Sequence, residues 1–188
     1  VQQSTVGVAG GERLAAVAEE LGLAYVDAPV LGTKKPAEDG ALVVLASGPE
    51  DVRTRVQPVF DAIGSRPQWV GTGQEATRLK LVANSWVLSV LEGIAEALTF
   101  ATALGLDPHD FLAAVQGGAM DAPYVQLKGN AMLDGRFDPA FALDGMAKDA
   151  SLMREAAERA GVDVPFVEVA QRYLDRASAD GHGDEDMA

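Results

Sequence analysis

Residues 74–104 form one unbroken helical pattern of about 31 residues, which at roughly 1.5 Å each spans more than 40 Å. That is longer than the ordinary helix of a domain, so any fold the chain adopts has to be arranged around it. The stretch is apolar on most sides, but Lys80, Asn84, Glu92 and Glu96 interrupt it at spacings that are multiples of four. This argues against a membrane span and for a central helix packed by protein on several faces.

Upstream of that helix, helical and extended patterns alternate. Residues 12–21, ERLAAVAEEL, put Leu14, Val17, Ala18 and Leu21 on one face, and Gly22 is the expected stop. LAYVDAPV (23–30) reads as a short strand, and a loop of Gly, Lys, Pro and Asp follows at 32–40. ALVVLAS (41–47) is apolar throughout, as a strand buried on both faces is. Residues 50–63 predict a helix with Val52, Val56, Val59, Phe60 and Ile63 inward, with Pro58 disturbing its regularity, and PQWVG (67–71) predicts another short strand. Downstream no strand is expected. Gly105 stops the long helix, Asp107 and Pro108 open the next as N-cap and first turn, and further helices are expected over 109–116, 121–134, 146–160 and 164–179. The fold class is therefore α/β over residues 1–73, followed over 74–188 by the long helix and an all-helical part. The tail DGHGDEDMA is acidic and polar, a composition compatible with order or disorder.

Composition removes several kinds of chemistry. The chain has no cysteine, hence no disulfide, no thiolate nucleophile and no Cys-based zinc site, and only His109 and His182 remain as imidazoles, so no metal site is expected. A net charge of −13 without clustered Lys and Arg argues against nucleic-acid binding and for solubility. Residues 1–22 have neither the basic start nor the apolar run of a secretory signal, so the cytoplasm is the default compartment. Because the chain opens at Val1, on what reads as the end of a strand, it is expected to be a piece of a longer protein.

Two glycine phrases invite a phosphate-site reading. GTGQEA (71–76) follows a strand and opens a helix, but the dinucleotide fingerprint needs a second strand about 30 residues on with an acidic residue, and here the helix continues. GVAGGE (7–12) lacks the Lys-Ser/Thr of a phosphate-binding loop. Lys80 and Asn84 are more informative. At i, i+4 they emerge from one face of a helix otherwise too apolar to face solvent. Two readings stay open on spacing alone. Either burial lowers the pKa of Lys80 toward a range useful for proton transfer, or Lys80 snorkels to the helix edge while Asn84 bonds a neighbouring loop.

The phrases STV (4–6), DAPVLG (27–32), GTGQEATRLKLVAN (71–84) and FALDGMAKD (141–149), in that order and across essentially the whole chain, resemble the β-hydroxyacid dehydrogenases. That family includes 3-hydroxyisobutyrate dehydrogenases, glyoxylate/succinic semialdehyde reductases and relatives of 6-phosphogluconate dehydrogenase. The resemblance implies the C-terminal part of a Rossmann-type domain over 1–73, then an interdomain helix and an all-α domain. It implies NAD or NADP as cofactor, a small hydroxy acid, aldehyde or keto acid as substrate, and a homodimer or higher homo-oligomer formed through the helical half. The glycine-rich nucleotide loop and the residues that choose between NAD and NADP would lie upstream of Val1.

Carried over residue by residue, the resemblance makes Lys80 the catalytic acid/base and Asn84 its substrate-binding partner. Thr5 would lie beside the nicotinamide ribose, Phe141 near the nicotinamide, and Lys148 and Asp149 at the border of the cofactor. Leu31, Gly32 and Thr33 stand where the family usually reads Ser-Gly-Gly, so the hydroxyl that would hold a substrate carboxylate is absent. Backbone N–H groups at Gly32 and Thr33 remain available to an anion, while Leu31 implies a more apolar or differently shaped substrate; Glu75 also stands where a small residue is common. Two alternatives accompany this reading: a non-catalytic member that serves as a helical dimerisation module, and an imine reductase-like enzyme.

Overall fold

In the computed structural model, which describes residues 1–188, the apolar run ending at Ser47 becomes the central strand of a three-stranded sheet. In chain order the first half contains α1 (Gly7–Glu20), β1 (Val30–Leu31), α2 (Lys34–Glu38), β2 (Leu42–Ser47), α3 (Arg53–Ile63) and β3 (Gly64–Gly71). β2 pairs antiparallel with β1, Val30 opposite Val44, and parallel with β3, from Leu42 opposite Gly64 to Ser47 opposite Gly71. A parallel pair requires a crossover, which α3 and the 3-10 turn Glu50–Val52 before it supply. Pro58 is accommodated inside α3.

Val26, Ala28, Val44, Ala46, Val52 and Phe60 form the core of this sheet layer, with Val30, Val56, Ile63 and Trp69 against it. Phe60 meets Trp69 at a ring separation of 5.9 Å, and the Arg53 guanidinium covers Trp69 at 4.7 Å. A fully buried side chain of this size contributes about 1.5–3 kcal/mol, and the cation adds a fraction of that.

Four expectations are corrected, the first being the loop expected at 32–40, which holds the short helix α2. The strand expected at 23–30 is reduced to β1 and to isolated bridges from Asp27 to Gln2 and Ser47, because Pro29 has no N–H to extend a ladder. The apolar face of α1 is uncovered, with Leu14, Val17 and Leu21 exposed. α1 packs instead through Gly7, Gly10 and Gly11. Gly7 has φ +72°, a conformation that favours glycine, and a Cβ there would press on the Leu152 side chain, its Cδ2 2.7 Å away. Val59, one step round α3 from Phe60, is also exposed.

The second half is helical throughout: α4 (Glu75–Ala103), α5 (Pro108–Val115), α6 (Pro123–Leu133), α7 (Leu143–Ala160) and α8 (Pro165–Ala177). By length and composition α4 is apolar enough to cross a membrane, but its polar residues Thr77 and Asn84 are buried against partners within the protein. α4 ends in a Schellman motif, with Gly105 N–H bonded to Thr102 and Leu106 N–H to Ala101. Asp107 then caps α5 by accepting from His109 N–H at 2.9 Å. The chain divides into two compact units, Val1–Asn84 with Lys148–Val164, and Ser85–Ala147 with Pro165–Ala188. In the second, Ile94, Leu98 and Leu112 form a core flanked by Val90, Phe111, Val125, Met132 and Leu133.

The acidic tail is ordered. Asp186 is buried, pairs with buried Lys128 of α6, and accepts backbone N–H bonds from Ala140 at 3.0 Å and Ala188 at 3.1 Å. Removing one partner of a buried pair strands the other charge. Asp186→Ala is expected to lose about 3–5 kcal/mol of stability in urea unfolding. Lys128→Met should lose less, because Asp186 keeps both backbone donors; equal losses would contradict this account.

Half-buried Glu92 makes stability depend on pH. Burial, helped by the Glu96 carboxylate one turn on, pushes its carboxyl up to about 7. A carboxyl raised in the folded state contributes stability below its unfolded pKa, and that contribution is lost as pH rises through the folded value. Glu92→Gln should therefore flatten the fall in melting temperature between pH 5 and pH 8. An unchanged slope would assign that fall to other groups.

Candidate functional site

α4 is anchored at its first turn by the sheet. Thr77 donates its N–H to Asp27 Oδ2 and its hydroxyl to Asp27 Oδ1, both at 2.7 Å. Ala76 donates its N–H to Ser47 Oγ at 3.1 Å, and that hydroxyl donates to Gly73 O at 3.0 Å. Asp27 and Ser47 also exchange backbone hydrogen bonds at 2.9 and 2.8 Å. The donors that open a helix would otherwise lack partners, and here two side chains from an adjoining bridge take them. Burial raises the Asp27 carboxyl above its ordinary range, opposed by the Thr77 hydroxyl and N–H and by Ser47, and reinforced by Glu75.

One turn beyond Thr77 on the same face comes Lys80, and one turn beyond that Asn84. Lys80 is partly buried and Asn84 buried. Asn84 Nδ2 donates to Asp149 Oδ2 at 2.7 Å. Asp149, on α7, is 1% exposed, and its Oδ1 faces the Lys148 ammonium at 2.7 Å as an ion pair without hydrogen-bond geometry. The half-exposed Lys148 ammonium donates to Thr5 O at 2.8 Å. Burial lowers the pKa of Lys80 below the ordinary lysine value; the Asp149 carboxylate opposes the shift and the Lys148 ammonium adds to it.

The structure thus brings together, within one compact unit, Thr5, Asn84, Lys148 and Asp149 by direct contact and Lys80 by its field. Leu31, Gly32 and Thr33 lie in the same unit at the end of β1. Gly32 has φ +123°, and a Cβ there would stand 2.7 Å from Leu42 Cδ2. Phe141 belongs to the other unit, beside Gly145, and its carbonyl accepts from Met187 N–H at 3.1 Å. Sequence reasoning passed over Asp27, Ser47 and Thr77. The signal available was an aspartate between Val26 and Ala28 in an apolar run, since a lone acid in a buried segment needs partners.

The fold thus combines a sheet with a βαβ unit, a long helix and a helical half, and it sets a desolvated lysine near a buried amide–carboxylate pair. Residues 1–71 match the family model of the NAD binding domain of 6-phosphogluconate dehydrogenase, and residues 71–188 that of the NAD-binding part of NADP-dependent 3-hydroxyisobutyrate dehydrogenase. The chain belongs to the β-hydroxyacid dehydrogenase family. NAD or NADP is the cofactor class that goes with both models.

Among curated relatives, the chloroplastic glyoxylate/succinic semialdehyde reductase 2 of Arabidopsis thaliana is 32% identical over 100% of this chain and 52% of its own. The 2-hydroxy-3-oxopropionate reductase of Escherichia coli is 30% identical over 96% of this chain and 62% of its own. The crystal structure of 3-hydroxyisobutyrate dehydrogenase from Salmonella typhimurium superposes with a TM-score of 0.89 at 28% identity, covering 98% of this chain and 65% of that one. The chain therefore spans a little over half the length of the curated relatives it matches.

The opposed fields on Lys80 give a signed prediction. Lys148→Met removes a like charge and should raise the Lys80 pKa toward the ordinary lysine value. Asp149→Asn removes an opposite charge and should lower it further. Carbon-13 NMR titration of the dimethylated lysines reads both shifts, and movement in the same direction would refute the arrangement.

Proposed function

We propose that this chain carries the proton-transfer half of an NAD(P)-dependent oxidoreductase that interconverts a small hydroxy acid with its aldehyde or keto acid. The observation that carries the reading is Lys80: a lysine with lowered pKa on the same helix face as Asn84, with Asp149 holding that amide.

The residues present fit the nicotinamide end of such a cofactor. The first turn of α1 has no carboxylate and no side-chain cap, and the Lys148 ammonium stands on the Thr5 carbonyl where that helix opens. Thr5 and Lys148 would hold the ribose and amide edge, with Asp149 neutralising Lys148 from behind. A bound dihydronicotinamide would supply the hydride.

As a carbonyl carbon is reduced, negative charge grows on its oxygen. Lys80 in its ammonium form stabilises that charge and donates the proton; in the oxidative direction neutral Lys80 accepts the hydroxyl proton. A lowered pKa makes the neutral form easier to reach than in an ordinary lysine. Asn84 commits one amide N–H to Asp149, which leaves its other N–H and its oxygen for the substrate. Leu31, where the family has a hydroxyl, favours a substrate that presents apolar surface at that position.

In the full-length protein, Lys80→Ala is expected to lower kcat by about 10²- to 10⁴-fold while the dissociation constant for NADPH stays within a factor of about two. The assay is NADPH oxidation across aldehydes, keto acids and cyclic imines. A variant that keeps most of its activity would overturn the assignment, and a wild-type protein that turns over none of the panel would favour a non-catalytic role.

A further inference from the structure

We infer that Asp27 is a positioning residue for Lys80: through Thr77 it fixes the rotation of α4 and ties the Leu31–Thr33 loop to the same frame as the reacting ammonium. The inference rests on the proposed role of Lys80.

Three observations carry it. Asp27 is 0% exposed and accepts from Thr77 at both carboxylate oxygens, at 2.7 Å each. A single backbone contact would let a helix end pivot. Two bonds from one rigid carboxylate, one to backbone and one to side chain, remove that freedom. Second, Thr77, Lys80 and Asn84 are spaced i, i+3 and i+7 and share a helix face. Asp27 therefore holds this face at one end and Asp149 at the other, with Lys80 between.

Third, Asp27 is bonded through its backbone to Ser47 and stands at the start of the segment Ala28–Pro29–Val30–Leu31. Asp27, Ala28 and Pro29 are buried, and half-buried Val30 and Leu31 pair with β2. Asp27 and Leu31 are four residues apart, a stretch that spans at most about 14 Å. The carboxylate that orients Lys80 thus also roots the loop proposed to meet the substrate. The Asp27 position lies at a helix N-terminus, where a negative charge is favourable and an amide is less so.

The test uses Asp27→Asn, Asp27→Ala and Thr77→Val. Asparagine retains both contacts, accepting from Thr77 N–H and donating to Thr77 Oγ1, at the expense of the charge. In the full-length protein, Asp27→Ala and Thr77→Val are expected to lower kcat about ten- to a hundredfold, as loss of alignment does, with Asp27→Asn recovering most of it. NADPH affinity should be unchanged.

In the chain itself, the Lys80 pKa read by NMR should move toward the ordinary lysine value in Asp27→Ala and Thr77→Val, and much less in Asp27→Asn. This second reading does not require turnover, so it separates failure of the positioning from failure of the oxidoreductase assignment. Folded variants with wild-type kcat and an unmoved Lys80 pKa would make Asp27 a stability cap only. Loss of fold in both Asp27→Ala and Thr77→Val would overturn the inference in the same way.

Discussion

The hydrogen bond from Asn84 to Asp149 is the contact on which the rest of the arrangement depends. Both residues belong to the first compact unit, Asn84 on α4 and Asp149 on α7. A carboxylate with 1% exposure is tolerable only if its charge is answered. The Asn84 amide and the Lys148 ammonium answer it from two sides. Because Lys148 also reaches the Thr5 carbonyl, one buried charge organises three segments distant in sequence.

The same logic operates at the other end of the Thr77–Asn84 stretch. Asp27 is buried without a cation, and its compensation comes from two Thr77 donors and the positive end of α4. Burial and hydrogen bonding pull the Asp27 carboxyl in opposite directions, and burial is the larger. Between these fixed carboxylates Lys80 experiences desolvation as its dominant influence, because neither carboxylate is paired to it directly. A salt-bridged lysine would be held charged. A lysine that is merely enclosed, with a neighbouring carboxylate already engaged, has its pKa lowered instead.

Much of the fold was legible in the chain. The long helix, its stop at Gly105, the Asp107–Pro108 restart and the buried β2 strand are set by local patterns that tertiary packing did not override. Where reading failed, packing supplied the reason. The leucine face of α1 looks like a core face, yet this helix approaches its neighbours through glycines, and no periodicity reports which side a glycine brings close. The 23–30 segment has strand composition, but Pro29 and the two separate partners of Asp27 leave it bridges rather than a ladder. The tail, whose polarity is compatible with either state, is ordered because Asp186 finds Lys128 and two backbone donors.

The candidate site divides along the same line. Sequence by itself determined that Lys80 and Asn84 share a helix face and which family the ordered phrases resemble, because spacing on a helix and residue identity are local properties. Only the tertiary structure decided that Asp149 answers Asn84, that Lys148 reaches Thr5, and that Asp27 closes on Thr77 across 50 residues of chain. Partner choice for a buried charge depends on which segments are brought together when the core closes, and that is a property of the packed whole.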